Sequence, residues 1–179
     1  YTINNINHPD IKYYKNTKSL GTTLSRIKGI KRALGDYIGF LDDDDLMINN
    51  NLEKKLKKIN EGEIDFVFCD YIINNTVENI IIKKNLYQYE KDFKKNILYG
   101  PGPFLQCCLF RRSFILQYID NLDSKSEPSE DWNFFIELSK YSPCVKHVQM
   151  FGFQWNFSKH SQSFHYEKET NALEYIINN

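Results

Sequence analysis

Apolar residues first recur at helical spacing at Leu24, Ile27, Ile30 and Ala33/Leu34, which predicts a helix over 24–34. Thr22 or Thr23 is placed to cap its start, and Gly35 stands where a helix C-cap glycine is expected. The run Tyr37-Ile38-Gly39-Phe40-Leu41 has no polar alternation, as expected of a strand buried on both faces. It stops abruptly at Asp42, Asp43, Asp44 and Asp45. A second amphipathic helix is expected over 51–59, with Leu52, Leu56 and Ile59 inward and Lys54, Lys55, Lys57 and Lys58 in solvent. Residues 65–70 read as the next buried strand and 77–82 as another, with a weaker helical pattern over 89–98.

Gly100-Pro101-Gly102-Pro103 is a strong loop signal. Beyond it, 104–110 reads as strand and 113–119 as one or two helical turns. Ser129 is a good N-cap for a helix over 130–141, which places Glu130 and Asp131 in its first turn. Residues 145–157 supply one or two strands and 167–177 a terminal helix. Helices alternating with short apolar strands predict an α/β fold: a mostly parallel mixed sheet flanked by helices, with some antiparallel pairing late in the chain.

Composition narrows the partners. Twenty-three Lys and Arg balance 23 Asp and Glu in 179 residues, 41% of which are hydrophobic and 15% aromatic. Such a chain can bury a core, is not disordered, and lacks the basic excess that phosphate neutralisation on nucleic acid needs. Of the 23 bases, 19 are Lys, a compositional bias without the look of a binding signature. No apolar run reaches the ~18 residues of a membrane span, and no leader pattern follows Tyr1. The chain is therefore expected to begin part-way into a longer one. Cys69, Cys107, Cys108 and Cys144 form no C-x-x-C pair and sit in or beside apolar stretches, so they read as reduced core thiols and fit a reducing compartment.

The aspartate run is the most informative chemistry. In open α/β sheets ligands bind beyond the carboxyl ends of strands, and the run lies there. Four adjacent carboxylates repel unless solvated or neutralised by a cation. A hard divalent ion takes oxygen ligands and commonly bridges one or two carboxylates to substrate phosphates; a solvated turn capping the next helix is the plainer reading. An EF-hand loop starting at Asp42 fails, because Met47 stands where glycine is needed and Leu46 and Ile48 fall among the ligands. A strand-end aspartyl nucleophile, Asp42 with Asp44 as acid, resembles the haloacid dehalogenase pattern, but Leu46 replaces the usual small hydroxyl or β-branched residue.

The stretch from Leu24 to Asp45 resembles glycosyltransferase family 2, of the GT-A class. That family carries A-R-N-x-G-[IL]-x-x-A-x-G before E-Y-I-x-F-L-D-x-D-D; Arg26, Gly29, Ala33, Gly35, Tyr37 and Asp42 match, while Ser25 and Ile27 depart from it. Phe110-Arg111-Arg112-Ser113, Ser129-Glu130-Asp131-Trp132 and His160-Ser161-Gln162-Ser163 resemble later family segments in the right order. The resemblance implies a GT-A domain over 1–179, with 1–50 the remainder of the nucleotide- and metal-binding half and 51–179 the acceptor-side half. The family's first nucleotide-binding strands would precede Tyr1.

It further implies an inverting transferase that moves a sugar from a nucleotide-diphosphate sugar, a UDP-sugar foremost, to a carbohydrate or lipid-linked acceptor in polysaccharide synthesis. Asp42 and Asp44 become the D-x-D pair for Mn²⁺ or Mg²⁺, with Asp45 and His160 as further metal candidates. Arg26, Asp42 and Asp43 face the donor, Asp131 matches the general base, and Glu130 supports that base or touches the acceptor. The plainer readings stay open: Arg26 on a solvated face, Asp131 placed for the helix dipole, His160 as structural, Trp132 as core or sugar-stacking wall, and 100–103 as a simple turn. The resemblance also implies a cytoplasmic location, at the inner face of the membrane when peripherally bound, and no nucleic-acid partner. A non-catalytic GT-A-like binding domain and a metal-dependent phosphotransferase are the rival functions.

Overall fold

The computed structural model describes residues 8–159, 161 and 164–179. Among the described residues six strands form one mixed sheet: β1 (Tyr37–Gly39), β2 (Leu46–Met47), β3 (Phe66–Asn75), β4 (Ile80–Lys84), β5 (Cys108–Arg111) and β6 (Val145–Phe157). The α-helices described around it are α1 (Gly21–Arg32), α2 (Asn51–Ile59), α3 (Tyr87–Lys91), α4 (Phe93–Leu98), α5 (Arg112–Tyr118), α6 (Glu130–Ser139) and α7 (Tyr166–Asn178). The strand order is β1-β5-β3-β6-β2, with β4 paired to the outer half of β3. The parallel component is the β3–β6 pair; the other described pairings are antiparallel. The expected α/β class with a mixed sheet is therefore present, but the sheet is not mostly parallel: β4 returns on β3 as a hairpin and β5 runs against both β1 and β3, so antiparallel pairs dominate and are not confined to the end of the chain.

β3 is the centre of the core. Phe66 meets Phe110 at 5.0 Å and Phe93 at 5.5 Å, and Phe135 stacks on Phe110 at 6.3 Å, which packs α4, α5 and α6 onto one face. Side chains alternate faces along a strand, so Val67 and Leu109 point the other way, into a second cluster with Ile59 and Ile64 beneath α2. Arg111 closes that layer by donating to the carbonyls of Ile59, Gly62 and Ile64. Arg112 donates from Nε to the Ala33 carbonyl at the end of α1. The two arginines of the sequence motif thus hold helix ends.

Several elements differ from expectation, each for a local reason. β1 is three residues at a sheet edge, with Tyr37 and Gly39 not buried, so the run is not enclosed on both faces. α1 ends at Ala33 and not Gly35, and its first turn is capped from elsewhere in the chain. α2 has the predicted span and buries Ile59 as expected, but it is rotated so that Asn51 and Lys55 are also buried, Lys55 to 1% exposure, while Leu52 and Leu56 are exposed. The close approach of Asn51 to β6 sets that rotation. Asn51 Nδ2 donates to the Gly152 carbonyl, and a Cβ at Gly152 would lie 2.7 Å from Cys69 Sγ. Leu52 and Leu56 turn instead to a shallow apolar hollow with Phe40, Leu41 and Met47. The 89–98 helix is two short helices, because Asp92 leaves the helical region and its carboxylate caps α4 at Lys95 N–H. Residues 105–107 form a 3₁₀ turn where strand was expected. All four cysteines are free, and Cys144 is exposed rather than a core thiol. No helix among the described residues is long and apolar enough to cross a membrane.

Candidate active site

An open cleft of about 1040 Å³ lies over the carboxyl end of β1, between the aspartate run, the N-terminus of α6 and the loop 100–104. Arg26 stands at its centre. Its Nη1 donates to Glu130 Oε1 at 2.6 Å and to Asp131 Oδ1 at 3.0 Å, and its Nη2 reaches Asp42 Oδ2 at 2.9 Å. One guanidinium therefore joins the end of β1 to the start of α6.

The placement of Arg26 follows from how α1 is anchored. Gly21 adopts φ +77°, which glycine tolerates without strain. The Glu127 carboxylate then accepts the Thr23 N–H at 2.9 Å, satisfying a free donor of the first turn and complementing the helix dipole. Glu127 lies just before α6, so α1 is fastened to the segment that delivers Glu130 and Asp131. Ser129 caps by position only. Its hydroxyl donates to Glu169 of α7 at 2.7 Å.

Glu130 and Asp131 are 6% and 9% exposed. Burial pushes Glu130 up to about 8, helped by the charge on Asp131 and opposed by Arg26. Burial also raises Asp131, against the pull of Arg26 and of the Leu105 N–H, which donates to Asp131 Oδ2 at 2.8 Å. Two buried carboxylates sharing one guanidinium titrate as a pair. Burial lowers Arg26, but Asp131, Asp42 and Glu130 together outweigh it, so it is raised and stays charged.

The four aspartates are not equivalent. Asp42 is engaged by Arg26 and by the amide of Gln106. Asp45 is buried, accepts the Asn156 N–H at 2.9 Å, and is raised to about 6 by burial and by the charges of Asp44 and Asp42. Asp43 and Asp44 are exposed, and both line the cleft. The Asp44 carbonyl is held by Asn156 Nδ2 at 2.6 Å, which fixes the turn without using the carboxylate. His160 lies outside the described residues, as do Gln162 and Ser163.

The structure thus brings Arg26, Asp42, Asp43, Asp44, Asp45, Glu130 and Asp131 to one cleft. Arg26 is 11% exposed and ion-paired, so it is not on a solvated face. Trp132 is half-buried, lines the cleft and donates from Nε1 to the Ile97 carbonyl at 2.7 Å. The 100–103 loop is a cleft wall: Tyr89 donates to the Pro101 carbonyl, and a Cβ at Gly102 would meet Ile97 Cδ1 at 2.8 Å. Gln106, the Leu105 N–H and Asn156 escaped the sequence reading. They sit in a 3₁₀ turn and at the end of β6, and nothing in their spacing marks them.

A family model described as Glycosyl transferase family 2 matches residues 2–119. The chain belongs to that family. Glycosyltransferases of otherwise uncharacterized role resemble it: one from Methanocaldococcus jannaschii is 29% identical over 133 residues, 70% of this chain and 43% of that protein. Another, from Haemophilus influenzae, is 27% identical over 154 residues, 82% of this chain and 55% of that protein. The Escherichia coli UDP-Glc:alpha-D-GlcNAc-diphosphoundecaprenol beta-1,3-glucosyltransferase WfgD is 31% identical over 86 residues, 47% of this chain and 34% of that protein. This family 2 chain spans about half the length of the first two relatives. The crystal structure of Staphylococcus aureus TarS 1–349 with UDP-GlcNAc shares its fold at TM-score 0.61 and 13% identity, covering 84% of this chain and 44% of that one.

The aspartate run of this family 2 cleft offers oxygen donors alone. Among the described residues no three acidic, histidine or cysteine side chains converge on one point, so there is no preformed cage. A hard dication that binds through one or two carboxylates and completes its shell with phosphate oxygens and water fits this donor set. Asp44 and Asp43, exposed at the cleft, suit that mode better than Asp42, which is already engaged.

Proposed function

We propose that the protein is an inverting glycosyltransferase that moves a sugar from a nucleotide-diphosphate donor to an acceptor hydroxyl, with Asp131 as the general base. The observation that carries this reading is the Arg26 bridge, which ties the donor-side Asp42 to the base-side Glu130 and Asp131 within one cleft. Residues up to about 50 serve the donor and those beyond it the acceptor. TarS and WfgD are described with uridine diphosphate sugars, which makes uridine the nucleotide to test first.

The chemistry follows from the hydrogen bonds. Asp131 is held from both oxygens, by Arg26 and by the Leu105 N–H, so its orientation is fixed before substrate arrives. Burial beside Asp131 favours the protonated form of Glu130, while Arg26 and the Leu105 N–H favour the charged form of Asp131, the form that can accept a new proton. Each carboxylate oxygen keeps a second lone pair for that role. The acceptor hydroxyl gives its proton to Asp131 as its oxygen bonds to the anomeric carbon, and the bond from that carbon to the diphosphate breaks on the opposite face. A single displacement inverts the configuration. Asp44, with Asp43 or Asp45 beside it, would hold a divalent ion, which when bound would supply charge neutralisation for the departing diphosphate.

Joint titration with Mn²⁺ and UDP tests the donor half. At a hundredfold excess over Kd, binding stabilises a fold by about 2.7 kcal/mol, or roughly 5–11 °C for a domain of this size. That rise is expected in the wild type and absent in Asp44→Ala. No joint stabilisation in the wild type refutes the reading, and stabilisation without donor turnover would leave a binding domain.

A further inference from the structure

Lys55, Cys69, Cys107 and Cys108 cluster around the 3₁₀ turn and take no part in the transfer chemistry. Lys55 of α2 is 1% exposed, and among the described residues no carboxylate pairs with it. Its side chain hydrogen-bonds the sulfur of Cys69 in β3. Cys69 and Cys107 have 0% exposure and Cys108 has 2%. β3 and β5 pair antiparallel as far as Phe68 and Cys108. One step beyond that pair Cys69 comes opposite Cys107, already in the 3₁₀ turn. Their thiols are hydrogen-bond partners, and Cys69 Sγ also lies 3.4 Å from the Cys107 carbonyl. Opposed residues of an antiparallel pair stand about 4.5–5.5 Å apart between Cα atoms, inside the ~4.4–6.8 Å that a disulfide spans.

The thiols are not alike. The hydrogen bond from Cys107, the charge of Lys55 and the Gly152 N–H together bring Cys69 down to about 7 against the effect of burial. Burial holds Cys107 and Cys108 well up, and Cys69 adds to this. The titratable groups that face Cys69 are Lys55 from α2 and Cys107 and Cys108 from the neighbouring turn and strand; β6 presents the backbone of Gly152. The thiolate is the nucleophile in thiol oxidation, so Cys69 is set to attack an oxidant and Cys107, beside it, to resolve the product. The turn that carries Cys107 also serves the active site. Its Leu105 N–H holds Asp131 Oδ2 at 2.8 Å, and its Gln106 amide holds Asp42.

Resting on the transferase reading above, we propose that Cys69 and Cys107 are an oxidation site for hydrogen peroxide, and that their disulfide slackens the hold of Leu105 on Asp131 and of Gln106 on Asp42. With both thiols closed to solvent, the oxidant has to be small and uncharged. The Cys69 sulfur attacks one peroxide oxygen. An S–O bond forms, the O–O bond breaks, and the leaving hydroxide takes up the proton given up by Cys69 and departs as water. Cys107 then attacks the sulfenic acid on Cys69. The S–S bond forms, the S–O bond breaks, and the second oxygen leaves as water with the Cys107 proton. Two thiols lose two electrons and one peroxide gains them. A sulfur–sulfur bond is about 2.05 Å long, shorter than any hydrogen-bonded contact between thiols, so the turn is drawn towards β3.

Peptide mapping by mass tests it, in a Cys144→Ser background that removes the exposed thiol. The folded protein is treated with hydrogen peroxide, and unreacted thiols are alkylated after denaturation. A Cys69–Cys107 link, two hydrogens lighter than the reduced pair, is expected, and dithiothreitol reverses it. Lys55→Met slows its formation at least threefold at pH 7. Raising Cys69 from about 7 to the usual ~8.5 cuts its thiolate about 15-fold, of which the more basic sulfur recovers roughly fivefold. Oxidation lowers kcat at least tenfold and dithiothreitol restores it; Cys69→Ala and Cys107→Ala keep their reduced activity and lose the response to peroxide. The oxidised protein also shows a steeper fall of Tm between pH 5 and 7, because losing the Leu105 N–H raises Asp131 further. Simple packing strain shifts Tm equally at every pH. No link, a link to Cys108, a lysine–cysteine cross-link, or a disulfide that leaves kcat and the pH dependence of Tm unchanged overturns the proposal. A reduced protein without turnover that still forms the link and shows the pH effect overturns the transferase reading alone.

Discussion

Arg26→Met probes the cluster most directly. It keeps an unbranched side chain of similar length while removing the cation that Asp42, Glu130 and Asp131 share. Arg26 and the two α6 carboxylates are largely buried, and stripping one partner from a buried ion-pair network costs about 3–5 kcal/mol. The loss corresponds to roughly 6–20 °C in Tm for a chain of this size. It depends on pH with a definite sign. Glu130 is raised from its ordinary 4.5 to about 8 and Asp131 is raised as well, so the folded state binds more protons than the unfolded one between those values. The contribution of this pair to stability is then fullest below about 4.5 and falls as pH rises towards 8. Without Arg26 both carboxylates move further up, so the variant's Tm falls more steeply over pH 5 to 8.5. The gap from wild type is small at pH 5 and widest at pH 8.5. Thermal melts followed by circular dichroism at half-unit pH intervals read this out. The double variant Arg26→Met/Glu130→Gln recovers about 1–2 kcal/mol at high pH, because neighbours in one network are not additive. A pH-independent gap, or one below about 0.5 kcal/mol, refutes the idea of a shared buried cation.

Asp131→Asn is expected to lower kcat by 10² to 10⁴, the usual share of a general base, with donor KM within threefold of wild type. Glu130→Gln flattens the wild-type pH dependence of Tm between 4.5 and 8, read by the same melts. Gly102→Ala pushes a methyl into Ile97 and Tyr89 and costs about 1–3 kcal/mol in urea unfolding, the range for overpacked sites. Glu127→Ala removes the remote cap of α1 and costs about 1 kcal/mol, with a larger loss of activity than of stability because Arg26 rides on that helix.

The sequence was most legible where local pattern and backbone agree. Residues 51–59 formed a helix as predicted, since alternating lysine and leucine positions leave few other options. Its rotation was not legible. Leu52 and Leu56 were expected inward on hydrophobicity alone, yet Asn51 fits beside Gly152, a residue a hundred positions away that has no side chain to keep it out. The acidic and arginine members of the site could be read because their residue types carry the chemistry. Gln106, the Leu105 N–H and Asn156 could not be read, since an amide or a backbone donor has no signature until the fold sets it against a carboxylate. The α1 cap failed for the same reason: Thr22 and Thr23 were the local candidates, and the carboxylate used comes from Glu127.

The β3–β6 pairing also has a consequence in time. Phe66 lies opposite Val145 and Asn75 opposite Phe157, so the central strand meets its longest partner only after some 80 residues have intervened. β4 can pair with β3 locally as a hairpin, but one side of β3 stays open until β6 arrives. Pairings of such sequence separation form slowly, because loop closure comes before any compensating contact. During synthesis an apolar strand edge is therefore bare while α3 to α6 emerge. Arg26 meanwhile has no carboxylate from α6 to join. The cleft is completed late, and an interrupted chain that stops short of β6 carries its aspartates on a sheet that has not yet closed.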